Sequence, residues 1–106
     1  MLKSIFGTVI ALGLAAGTAA AQDSFKVAAN LASVLGAERP CGLSFKPEAI
    51  ETFIAKNVAA DDMGFPSTLS TMTGGAEYGF ENMSAGAKVA QCAQVKRVAK
   101  SYGFID

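Results

Sequence analysis

The stretch SAGAKVAQCAQVKRVAKSYG, Ser84 to Gly103, decides the fold class. Ser84 offers a hydroxyl to the unpaired N–H groups of a helix start, and Gly103 can take the left-handed conformation in which many helices end. Between them Ala85, Val89, Cys92, Val95, Ala99 and Tyr102 recur at three- and four-residue intervals, which predicts one continuous apolar face on a long helix. The alanines on that face let other helices approach closely. Cys92 stands in its middle and is expected to face the core.

Working back toward the N-terminus, three more segments read as helices. The first begins near Ser24, a candidate cap, carries Phe25, Ala28, Ala29, Leu31, Ala32 and Leu35 at helical spacing, and ends at Gly36 before Pro40. The second opens with Pro47, whose missing N–H would be unpaired in a first turn, and Glu48 and Glu51 suit the positive helix end. Ile50, Phe53 and Ile54 form its inward stripe. The third is expected after Asp61 as cap, with Phe65, Leu69 and Met72 inward and Gly74-Gly75 as its stop. Ala76 to Met83 then reads as a loop whose Tyr78, Phe80 and Met83 fold back onto the core. No stretch alternates with period two. The expected fold is therefore all-α: a small antiparallel bundle of about four helices over residues 22–106, stapled by one disulfide and preceded by a signal peptide.

Residues 1–21 carry that peptide. Lys3 marks a short basic start, Ile5 to Ala16 is an apolar run, and Gly17 to Ala21 supplies the small residues that a signal peptidase accepts, with cleavage expected after Ala21. The apolar run falls short of the roughly 20 residues that cross a bilayer, so no integral membrane span is expected after cleavage. Periplasmic location is the first reading and secretion the alternative. Cys41 and Cys92 are the only cysteines, and an oxidising compartment makes an intrachain disulfide the first reading of the pair. Closing a loop of that length would contribute up to about 4 kcal/mol, a large share for a domain this small.

Composition removes several chemistries. The chain has 106 residues and no histidine, so Ser-His-Asp and Cys-His catalysis and haem attachment through Cys-x-x-Cys-His are unsupported. No Ser-x-x-Lys, phosphate-binding or dinucleotide glycine motif, or calcium loop is present. No cofactor and no metal site are expected, and the protein reads as no enzyme. Glu48 with Glu51, and Glu77 with Glu81, are the remaining carboxylate pairs; a helix start and a solvated loop explain them better than acid–base catalysis. Nine basic residues balance nine acidic ones, and cleavage removes Lys3, so no nucleic-acid partner is expected.

Two groups remain as a possible interaction surface. Lys96, Arg97 and Lys100 cluster near the end of the last helix, where cations are favoured anyway, and could meet an acidic partner or lipid. Phe65, Met72, Tyr78 and Phe80, with Met63 and Met83, form a methionine and aromatic supply of the kind used by adaptable binding surfaces.

The segment Cys92 to Phe104, together with Pro40-Cys41-Gly42 and Asp62-Met63-Gly64-Phe65, resembles small exported two-cysteine proteins of unknown function from alphaproteobacteria. The resemblance implies a bacterial periplasmic location and no particular activity. The expected function is a non-enzymatic envelope interaction or stress-related binding module, its partner an unknown envelope protein or peptide. The alternatives are a thiol-redox protein cycling Cys41 and Cys92, and an acid-activated periplasmic chaperone.

Overall fold

The computed structural model describes residues 24–106; the expected signal peptide at 1–21 lies outside them. Four helices follow in order: α1 (24–35), α2 (Pro47–Asn57), α3 (Phe65–Glu81) and α4 (Ala85–Tyr102). No strand occurs among the described residues, and the helices pack as a bundle. The core is built on α1, which buries Ala28, Leu31, Ala32 and Val34. Phe25 and Ala29, expected on its inner stripe, face outward, and Phe25 is 63% exposed.

Helix α2 starts with Pro47 as expected, after Lys46 in an extended conformation. It lays Ile50, Phe53 and Ile54 against the core without fully burying any of them. Helix α3 departs from the sequence reading at both ends. Gly64, not Asp61, occupies the cap position, and no side chain accepts a hydrogen bond there. Pro66 falls in the first turn, where proline is tolerated. At the other end the helix runs through Gly74-Gly75 to Glu81, so most of the expected loop is helical. The inner face explains this: Phe65, Leu69, Met72, Ala76 and Phe80 keep one helical period across the glycines. Tertiary contacts at both ends of that face outweigh a propensity cost of about 1 kcal/mol per glycine. Phe80 does turn inward, whereas Tyr78 is 71% exposed and points away from the core.

Helix α4 has the expected ends. The Ser84 hydroxyl accepts from the Ala87 N–H, and Gly103 takes φ +80°. Gly103 donates to the Lys100 carbonyl and Phe104 to that of Ala99, the paired bonds of a Schellman motif. The turn delivers Phe104 into the core, where it is fully buried beside Ala99. Phe45, Phe53 and Tyr102 surround it with ring centroids 5.6, 5.8 and 5.3 Å away. On the first two turns of α4 the side turned toward the bundle carries Lys88 and Gln91, both half-buried near Phe80, which leaves Ala85 exposed and Val89 at 71% exposure, so the apolar face engages the core only from about Cys92 onward.

The connection from α1 to α2 is ordered by a second such turn. Gly42, at φ +67°, donates to the Arg39 carbonyl and Leu43 to that of Glu38. This places Cys41 5.5 Å, Cα to Cα, from Cys92, and the two are joined as a disulfide. The bridge pins α4 to the end of the α1 turn. Phe45 N–H donates to the Glu38 carboxylate and Lys46 N–H to the Phe104 carbonyl, which fixes the extended 43–46 segment against both.

Candidate functional site

The bundle closes its core well around Leu31 and Phe104 but leaves a groove between α2 and α3. Ile54 forms one wall, Phe65, Pro66, Leu69, Ser70 and Thr73 the other, and Leu35 from the end of α1 reaches in beneath. The spacing of the α3 residues, four and eight from Phe65, puts Leu69 and Thr73 on the same side of that helix. The cavity is about 340 Å³, at the low end for small-ligand sites, which suits one or a few apolar side chains better than a large cofactor.

A second cavity of about 550 Å³ adjoins it, sharing Leu35 and Thr73. Ile50 and Leu43 continue the apolar wall there, and Glu38, Arg39 and Glu77 bring charge. The Glu38 carboxylate is committed to the Phe45 N–H at 2.8 Å. The groove thus has a dry end near Phe65 and a charged end near Arg39.

The expected surface residues do not form one patch. Phe65 is buried at the α3 start and Phe80 at its far end, where it lines a separate cavity of about 220 Å³ with Ala37 and Gln91. Met72 is half-buried against the core and Tyr78 projects into solvent. Lys96, Arg97 and Lys100 are exposed on the outer side of α4, Arg97 donating to the Gln94 side chain at 3.5 Å, and none of them lines the groove. The sequence reading missed Leu35, Ile54 and Leu69 as groove residues, assigning all three to the core by the same periodicity. No local signal separates them, because core and groove residues share the same chemistry and the same helical period.

Among the described residues no group of three His, Cys, Asp or Glu side chains is placed to hold a metal ion. The Cys41 and Cys92 thiols are consumed in the bridge. What the site offers is apolar contact area with a charged border. Comparison with protein-family models, curated proteins and solved structures found no match to this chain.

Proposed function

We propose that the protein is a non-enzymatic binding module of the bacterial envelope, which holds an apolar segment of another envelope protein or a peptide in the α2–α3 groove. The observation that carries this reading is the apolar lining of Leu35, Ile54, Phe65, Pro66 and Leu69, broken only by Ser70 and Thr73 and left open in a domain with little apolar surface to spare. Periplasmic location is supported by the leader-like residues 1–21, by the disulfide, and by the resemblance to small exported two-cysteine proteins. No helix among the described residues is long and apolar enough to cross a membrane.

The test is selection from a random peptide library on the immobilised oxidised protein, with counter-selection against Ser70→Arg. Ser70 is exposed on the groove rim, so the substitution plugs the groove without entering the core. Enriched peptides should carry two or more large apolar residues and lose binding to Ser70→Arg. Peptides that bind both forms equally, or a library that yields none, would overturn the proposal.

A further inference from the structure

Helix α3 carries Gly74, Gly75 and Gly79 in its interior, and at each a Cβ atom would meet nothing within 4 Å. Packing does not require glycine at these positions. Gly36 provides the contrast, since a Cβ there would lie 2.9 Å from the Ala76 Cβ and 3.0 Å from the Thr73 carbonyl oxygen. Relative to alanine, each unrequired glycine moves the local helix–coil balance about fivefold toward opening, and the three together about a hundredfold.

A second observation falls at the same point. The Thr73 hydroxyl oxygen is buried and has no hydrogen-bond partner among the described residues. A polar group in that state favours any movement that hydrates it. The two halves of α3 are also held differently. Phe65, Leu69 and Met72 join the main core cluster, whereas Phe80, though buried, stands outside it. Beyond Thr73, Phe80 and the half-buried Ala76 and Glu77 hold the segment to the rest of the bundle, and the bond from the Asn82 side chain to the Tyr78 carbonyl is internal to it.

We infer that residues 74–83 form a gate, hinged at Gly74-Gly75, that opens while the disulfide-pinned remainder of the bundle stays folded. Opening uncovers Phe80 and Ala37 together with the cavity they line, an apolar surface that the closed form hides. Local opening of this kind draws on the least stable part of a fold and leaves its core intact. The inference stands apart from the groove proposal, because its test uses no ligand.

The experiment is native-state amide hydrogen exchange on the intact oxidised protein. Backbone amides in 76–83 should exchange at least about a hundredfold faster than those of Val95 to Ala99. Gly74→Ala and Gly75→Ala should each slow the 76–83 amides about fivefold, and Thr73→Val at least about fivefold, with Val95 to Ala99 unchanged. Equal exchange in the two regions, or substitutions that slow both by the same factor, would show that the segment opens only when the whole domain unfolds and would overturn the inference.

Discussion

Gly36→Ala should destabilise the bundle, although alanine is ordinarily the better helix former. The added Cβ would sit 2.9 Å from the Ala76 Cβ and 3.0 Å from the carbonyl oxygens of Thr73 and Ala32. The Ala32 oxygen belongs to the preceding turn of the same chain segment and already accepts from the Gly36 N–H, so it moves with residue 36. Thr73 and Ala76 lie on α3, and relieving those contacts means pushing two helices apart. Overpacking of this kind costs about 1–3 kcal/mol. The restricted unfolded chain returns about 0.4–1 kcal/mol; because a Cβ and a backbone oxygen of α3 are both met at 3.0 Å or less, the cost lies in the upper part of its range and a net loss of about 1–2 kcal/mol remains. In a domain this small that lowers the melting temperature by about 5–15 °C. Urea unfolding followed by circular dichroism measures it as a fall in midpoint at constant slope. Ala76→Gly should recover part of the loss, because it removes the side-chain clash and leaves the Thr73 carbonyl in place; the double-mutant cycle gives the coupling. A Gly36→Ala variant as stable as the parent would refute the close approach of α1 and α3.

Replacing either cysteine with serine should cost about 2–5 kcal/mol, and alkylation without reductant should leave the intact mass of the native protein unchanged; two labelled thiols would mean the bridge is absent. Phe104→Ala removes a fully buried ring from the cluster with Phe45, Phe53 and Tyr102 and should cost about 3–5 kcal/mol, enough to leave much of the domain unfolded at 37 °C. The hydrogen bond from Lys46, and then its charge, hold the Asp106 carboxyl below its ordinary 3.8, while Asp106 holds Lys46 above 10.5. The stability this pair contributes is therefore complete between those two values, lost as pH falls through the lowered Asp106 value, and lost again as pH rises through the raised Lys46 value. Both groups are on the surface, so the effect is small and screened by salt; an NMR titration in which Lys46→Ala leaves the Asp106 midpoint unmoved would contradict it.

Much of the bundle was legible because its signals are local. Ser84 and Gly103 bound α4 through side-chain and backbone chemistry that acts within one turn, and Pro47 does the same for α2. The pairing of Cys41 with Cys92 needed only a count of two and the expectation of export. Helix α3 exceeds its expected length because two glycines are a weaker signal than the apolar period from Phe65 through Met72 to Phe80, which runs straight across Gly74-Gly75. Val89 departs from its expected place because the inward line of α4 runs through Lys88 and Gln91 at that level, and the apolar period does not say which edge of a face its neighbours cover. The groove has the same cause: Leu35, Ile54 and Leu69 have core chemistry, and only the mutual placement of three helices leaves them uncovered.

The most direct test of the binding account is a methyl NMR titration of the isotope-labelled protein with the tightest peptide from the selection. The methyl resonances of Leu35, Ile54 and Leu69 should shift together on one binding curve, with nuclear Overhauser contacts from peptide side chains to the Phe65 ring, while Val89 and Val98 stay fixed. Shifts confined to residues around Lys96, Arg97 and Lys100, with the three groove methyls unmoved, would contradict it.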